Sequence, residues 1–319
     1  MIDQLLQDLR SNNVRIWAKE GRLHFDAPKD AMTPEVLALL RGNKEELLRR
    51  LEEGTGQRPA VWEEMPGRER EPGGGVRLKR LTAAADGLVV FVLPPAGAGP
   101  SLFHTWAADA PEGVEVVVVH APGREDRIDE PPYRRVAPLA DAIAAAVDAY
   151  GDRPFVVLGH SAGALIAHHV LMRVRSGRAR LLVTAASTPP DRVVGDIAAM
   201  SDDDLLAAMA AWGGTPDQVL EDPLSRGEFL PCLRADLEVV ESCARAEGDI
   251  EPVDVPVLAL VGAEDTFAPL SESLRWARWS TAGFQAYVVP GGHFFPATEG
   301  AEILALIRRH VDGPVPGGI

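Results

Sequence analysis

One serine in this chain is flanked two residues away on each side by glycine. It is Ser161, between Gly159 and Gly163 in the run FVVLGHSAGALIA, residues 155–167. The residues before it are β-branched and apolar, and those after it are rich in Ala and Leu. A strand is therefore predicted to end at Leu158 and a helix to begin after Ser161. That strand–turn–helix setting is a nucleophile elbow, in which the two glycines let the backbone turn sharply and leave the hydroxyl exposed above a sheet. The helix N-terminus favours the negative charge that develops during attack. The plainer alternative is a glycine-lined turn with Ser161 as a helix N-cap.

A serine hydroxyl is a poor nucleophile until a base removes its proton. In a sheet of this kind the acid and the histidine follow the serine in chain order. The apolar run VPVLALVG ends at Gly262, and AEDTFAP places Asp265 just past it. The run FQAYVVP is followed by GGHFFP, which places His293 just past the next strand end. Chemistry in open α/β sheets collects at those carboxyl ends, so the three side chains are expected to converge. Glu264 is a rival acid whose side chain should point away from that of Asp265. Asp191, past TAASTPP, is a second, displaced from its strand end by two prolines. His160, His168, His169 and His24 are expected to serve packing. Two backbone N–H donors must face the developing oxyanion. Ala162, directly after the serine, is one. The other is expected from LPPAGAGPSLF, where Pro94 and Pro95 have no N–H and Ala96 is the first residue able to donate. Gly97 and Gly99 would then allow close backbone approach to a substrate.

The elements that position these residues are legible as alternating runs. LVVFVLP, VEVVVVH, PFVVLG, RLLVTAA, VPVLALVG and FQAYVVP are continuous apolar stretches, as in strands covered on both faces of a parallel sheet. Helices are predicted between most of them, near 136–150, 162–175, 271–279 and 298–311. The pattern predicts an α/β, doubly wound, mostly parallel sheet. Residues from about 190 to 250 hold amphipathic segments but no strand, which predicts a helical lid insertion. Within it Met209, Trp212, Leu233 and Leu237 are candidates to line a substrate channel, or equally the packed face of its helices.

Residues 1–53 read separately as a small α+β unit. Ile2, Leu5, Leu6 and Leu9 recur at helical spacing, VRIWAKEGRLHF alternates about a turn, and Thr33–Pro34 and Asn43–Glu46 open two more helices. Such a unit has a thin core and is expected to lean on a partner or a second copy, giving a homodimer through this unit. Residues 54–80, rich in Gly, Pro and charge, read as a flexible linker, and 81–319 as the larger domain.

The chain has 319 residues, 46% hydrophobic and 25% charged, with a formal net charge of −15. That composition suits a folded protein and argues against nucleic acid, whose phosphates need clustered Lys and Arg. Cys232 and Cys243 are the two cysteines, and no spacing in the chain resembles a metal site, so no metal is expected. No run is apolar enough to span a bilayer and the N-terminus is not a signal peptide, so a cytoplasmic protein is expected.

With those residues in place, the region from about 88 to 312 resembles the type II thioesterases of polyketide and nonribosomal peptide assembly lines. The resemblance is carried, in order, by LPPAGAG, APGREDR, GHSAGAL, LPCLRADLEVVE, GAEDTFAP and PGGHFFP. TAASTPP departs from the Ser-Gly-Arg-type run usual after the strand that follows the elbow. Residues 1–53 resemble TubC-like docking domains through LLQDLRSNNVRIW, GRLHFDAPKDAMTPEVLALL and NKEELLRRL. The resemblance implies an α/β-hydrolase fold and a serine thioesterase that needs no cofactor of its own. It implies a substrate carried on the phosphopantetheine arm of an acyl or peptidyl carrier protein, and docking to a C-terminal linear motif of an upstream synthase subunit. Arg124, Arg127, Arg134 and Arg135 are candidate carrier contacts, with solvated surface charge as the alternative. A general carboxylesterase, a product-releasing cyclase and a non-catalytic adaptor are the competing readings.

Overall fold

A computed structural model describes residues 15–19, 22–26, 36, 39–40, 42–53, 75–84, 86–192, 197–211, 223–245 and 250–313. The chain divides into two units, Met1–Trp62 and Glu63–Ile319. In the first, strands β1 (Arg15–Lys19) and β2 (Arg22–Asp26) form an antiparallel hairpin with Trp17 and His24 paired in the backbone register. Helix α1 (Lys44–Glu53) follows, with Asn43 at its start and the Asn43 amide donating to the Leu39 carbonyl at 2.7 Å. Leu47 of α1 is fully buried. The expected first helix lies outside the described residues, as does most of the second.

The second unit is built on β3 (Arg77–Arg80), β4 (Leu88–Leu93), β5 (Val114–His120), β6 (Phe155–His160), β7 (Ala179–Ala185), β8 (Val257–Gly262) and β9 (Phe284–Val289). Their order in the sheet is β3-β5-β4-β6-β7-β8-β9. Only β3 runs antiparallel, beside β5. Helices α2 (Val136–Asp148), α3 (Ala162–Leu171) and α6 (Gly300–Asp312) cover the sheet. Every residue of β4, β5, β6 and β8 is buried, which is why these strands read as unbroken apolar runs. On one face Phe91, Val117 and Val157 pack with Ile143 of α2 and Ala164 of α3. Each of the Phe, Val and Ile side chains contributes about 1.5–3 kcal/mol on burial. This is the doubly wound α/β-hydrolase arrangement.

Strand β3 departs from the sequence expectation, in which residues 77–80 belong to the linker. RLKR carries three cations and only half-buries its side chains, so its pairing with β5 leaves no apolar signature. The helical segment expected at 271–279 is a single α-turn, Leu270–Ser273, followed by a 3₁₀ turn, Leu274–Trp279.

Between β7 and β8 lie α4 (Asp202–Ala211) and the long α5 (Pro223–Arg245). Leu205, Leu206 and Met209 of α4 pack against Leu230, Leu233 and Leu237 of α5, with Ala96 and Phe229 at the margin. Met209, Leu233 and Leu237 therefore form the packed interface of the insertion. Trp212 lies outside the described residues.

Candidate active site

Ser161 follows β6 directly, and its backbone is strained, with φ 53° and ψ −117°. A non-glycine residue at positive φ is uncommon and is held only by its surroundings. Three hydrogen bonds hold this one: Ser161 N–H to the Ala185 carbonyl at 2.8 Å, and the Ser187 hydroxyl and the Ala164 N–H to the Ser161 carbonyl, each at 3.0 Å. The sharp turn is thus made by the serine and not by its glycines. The glycines are needed for space. A Cβ on Gly159 would lie 2.2 Å from the Gly163 carbonyl oxygen, and one on Gly163 would lie 2.2 Å from that of Leu93. Helix α3 can therefore start directly against the end of β4.

The Ser161 hydroxyl lies 3.1 Å from Nε2 of His293, and Nδ1 of the same ring lies 2.9 Å from Oδ2 of Asp265. A carboxylate only accepts, so Nδ1–H is the donor and Nε2 is left to accept the serine proton. The second Asp265 oxygen accepts from the Phe267 and Ala268 N–H groups at 2.9 and 3.0 Å. Burial alone would raise the Asp265 pKa. The hydrogen bonds from His293 and those two amides outweigh it, and the carboxyl sits below its ordinary value. Glu264 is exposed, and Asp191 lies 3.9 Å from Arg278 in an ion pair. Neither reaches the imidazole. Phe267 caps the His293 ring edge-on, with ring centres 5.0 Å apart.

His160, expected to serve packing, has a specific job. Its ring is fully buried and Nε2–H donates to the His293 backbone carbonyl at 2.8 Å. Burial, reinforced by the neighbouring His293, lowers its pKa to about 3, so it stays neutral. Ser187 was equally unforeseen. It lies in TAASTPP, and its own carbonyl accepts the Trp276 indole N–H at 3.1 Å. The sequence signal for both was their place at strand ends beside the elbow.

Ala162 is the first residue of α3, and helix geometry leaves an N–H at that position without an internal acceptor. In the loop after β4, Gly97 N–H donates to Asp236 at 2.8 Å and Ala98 N–H to the Pro95 carbonyl at 3.1 Å. Ala96 N–H has no acceptor among the described residues. Gly97 and Gly99 face protein: a Cβ on Gly97 would lie 2.7 Å from the Phe229 ring, and one on Gly99 would lie 2.3 Å from the Glu125 carboxylate. Ala96 and Ala162 both line a cavity of about 30 Å³ with Leu93, Leu139, Ile143 and Ile166.

Arg124 and Arg127, read from the sequence as carrier contacts or surface charge, are buried at 9% and 2% exposure. Arg124 forks onto Asp236, and Arg127 bonds Glu130 and the carbonyls of His120 and Gly75. Arg134 and Arg135 are exposed, with Arg134 paired to Glu238 at 2.7 Å. His120, Glu125 and Asp126 bring donor atoms within 4.8 Å of one another, but Lys79 and Arg77 already balance the two carboxylates. Among the described residues, no helix is long and apolar enough to cross a membrane.

A hydroxyl, an imidazole and an ionised carboxyl in hydrogen-bonded series, beside two amides, can carry out acyl transfer. Comparison with known proteins agrees. Residues 89–311 match the family described as Thioesterase domain, and residues 2–53 match the TubC N-terminal docking domain. Thioesterase PikA5 of Streptomyces venezuelae is 30% identical, over 74% of this chain and 86% of its own length. The AMB antimetabolite synthetase AmbE of Pseudomonas aeruginosa is also 30% identical, over 76% of this chain but only 12% of that much longer protein. The solved structure of YbtT, the type II thioesterase of the yersiniabactin NRPS/PKS pathway, superposes with a TM-score of 0.68. It is 26% identical and covers 74% of this chain and 98% of its own. The chain belongs to the thioesterase family, as an α/β-hydrolase that carries a TubC-type docking domain at its N-terminus.

Proposed function

We propose that this thioesterase hydrolyses acyl groups from the phosphopantetheine arm of acyl or peptidyl carrier proteins in a polyketide or nonribosomal peptide assembly line. The observation that carries the reading is the hydrogen-bonded series Ser161–His293–Asp265 in a chain of this family. His293 Nε2 takes the hydroxyl proton as Ser161 Oγ attacks the thioester carbonyl. The negative charge passes to the carbonyl oxygen, where the Ala96 and Ala162 N–H groups receive it. Collapse expels the phosphopantetheine thiolate, which takes the proton from His293, and leaves an ester on Ser161. Water, deprotonated by the same imidazole, then attacks the ester and releases the acid and the free serine. Asp265 holds Nδ1–H throughout, so that Nε2 is the atom that moves protons.

No step calls for a cofactor, because the phosphopantetheine arm arrives with the substrate. Recruitment is the second half of the proposal. A docking unit fused to a thioesterase directs it to one subunit, through a C-terminal linear motif that adds as a strand to the β1–β2 hairpin. The carrier itself docks near the exposed Arg134 and Arg135, and the protein works in the cytoplasm, where assembly-line carriers are charged.

Intact-protein mass spectrometry with a panel of acyl-carrier thioesters tests the chemistry. The expected result is a mass increase equal to the acyl group on the wild type and none on Ser161→Ala. Equal kcat/KM for a carrier-bound acyl group and its simple ester would instead make the protein a general esterase. Deleting residues 1–53 should weaken binding to one partner subunit while small-thioester hydrolysis persists. Loss of that hydrolysis would place the small unit in the catalytic fold.

A further inference from the structure

Helix α5 of the insertion reaches the loop that holds Ala96. Gly97, the next residue, sits at φ +74° with the Phe229 ring of α5 only 2.7 Å from where a Cβ would be, and Leu233 of the same helix in ordinary contact at 3.5 Å. Its N–H donates to Oδ2 of Asp236, also on α5, at 2.8 Å. Arg124 closes the loop from the other side. Its two terminal nitrogens meet the Asp236 oxygens at 2.8 and 2.9 Å, and one of them also donates to the Ala98 carbonyl at 3.1 Å. Asp236 and Arg124 are 6% and 9% exposed, and both line the cavity that Ala96 and Ala162 line.

We propose that Asp236 is a positioning residue for the thioesterase reaction: from α5 it holds the Gly97 amide, and so aims the Ala96 N–H at the developing oxyanion. The proposal rests on the reading of Ala96 as an oxyanion donor. Ala96 is clamped on both flanks. Pro94 and Pro95 fix the backbone before it, and the Gly97–Asp236 bond fixes the peptide plane after it. A donor held in place beforehand needs no rearrangement as charge develops, and that is the condition under which it is most effective. A carboxylate behind an oxyanion site would oppose the same charge. The bidentate Arg124 cancels it, and this accounts for a buried pair at a place where a neutral acceptor would satisfy Gly97. The oxyanion site is then complete only while α5 is seated, so insertion and chemistry are coupled through one carboxylate.

The test replaces the pair with apolar residues, Arg124→Met with Asp236→Leu, because exchanging a buried ion pair for residues of similar volume generally preserves folding. Asp236→Asn, which keeps an acceptor oxygen but loses the charge, is the milder variant should the double variant fold poorly. For a small acyl thioester, the double variant is expected to keep a wild-type Tm while kcat falls about 10- to 100-fold and KM changes less than threefold. An alkyl trifluoromethyl ketone, which forms an oxyanion adduct with Ser161, should lose affinity by the same factor. The corresponding non-electrophilic alcohol should bind unchanged. Asp236→Asn should lower kcat about two- to tenfold with a matching loss of ketone affinity, and wild-type values for both in that folded variant would equally overturn the proposal. A folded double variant with wild-type kcat, or with reduced kcat but unchanged ketone affinity, would overturn the proposal. So would equal weakening of ketone and alcohol, which would mean that α5 only shapes the chamber. Ser161→Ala in the same assay tests the underlying serine mechanism separately: if turnover survives there, the attack by Ser161 that Ala96 is read to assist does not occur, whatever the pair variants do.

Discussion

Gly163→Ala tests whether the two halves of the oxyanion site are held at a fixed spacing by direct backbone contact. The added Cβ would lie 2.2 Å from the Leu93 carbonyl oxygen, 2.7 Å from that of Pro94 and 2.8 Å from the Leu93 carbonyl carbon. Ordinary contact begins near 3.4 Å, so α3 and the end of β4 must separate by about 1 Å. No flexible side chain can yield instead, because every one of these atoms belongs to the backbone. The separation moves Ala162 away from Ala96, and a misplacement of about 1 Å costs about 100-fold in rate. Overpacking of this kind costs about 1–3 kcal/mol. For a domain of this size, that lowers Tm by about 2–12 °C. Thiol release from a small acyl thioester gives kcat and KM, and calorimetry gives Tm. The expectation is a loss mainly in kcat. A variant with kcat within threefold of wild type and an unchanged Tm would refute the claim that this contact sets the donor spacing.

His160→Leu leaves the His293 carbonyl buried without its donor, so we expect a loss of about 1–3 kcal/mol in denaturant unfolding together with a fall in kcat. Unchanged stability would show that this hydrogen bond contributes nothing. His160 and His168 are held neutral, their pKa values lowered by burial to about 3, against about 6.5 when unfolded. Between those values the unfolded chain binds more protons, so stability rises with pH. The contribution is complete above pH 6.5 and shrinks as pH falls toward 3, with roughly 2 kcal/mol per histidine gone at pH 5. Calorimetry at pH 7 and pH 5 checks this, and equal stabilities would contradict it. Asp265→Asn should lower kcat by about 10⁴-fold by favouring the wrong imidazole tautomer, while Glu264→Gln, exposed, should stay within twofold of wild type. The reverse pattern would move the acid. Gly227→Ala, on the exposed face of α5 with nothing near the added Cβ, should stabilise the protein by about 0.4–1 kcal/mol. A lower Tm would mean that α5 is not helical there.

The strands were legible because a parallel sheet covered on both faces demands unbroken apolar runs, and VEVVVVH or VPVLALVG admits few other readings. The order Ser161, Asp265, His293 was legible for a related reason, since each residue follows a strand end on the same rim of the sheet. Strand β3 escaped because an edge strand of charged residues carries its stability in pairing rather than in composition. Arg124 and Arg127 were misplaced because a charged residue in a loop reads as exposed until its buried partner is known, and Asp236 lies 112 residues beyond Arg124.

What the sequence determined by itself is therefore whatever depends on local pattern: the alternation of strands and helices, the elbow, the chain order of the candidate triad, and the separate docking unit. Only the tertiary structure decided what depends on distance in space. It turned the serine backbone to positive φ, set His160 under the His293 carbonyl, and closed Asp236 and Arg124 around the Ala96 loop. The physical reason is that hydrogen bonds and ion pairs act over about 3 Å. Which remote residues come within that range is fixed by how the sheet and the insertion pack, and a single strand or helix carries no record of it.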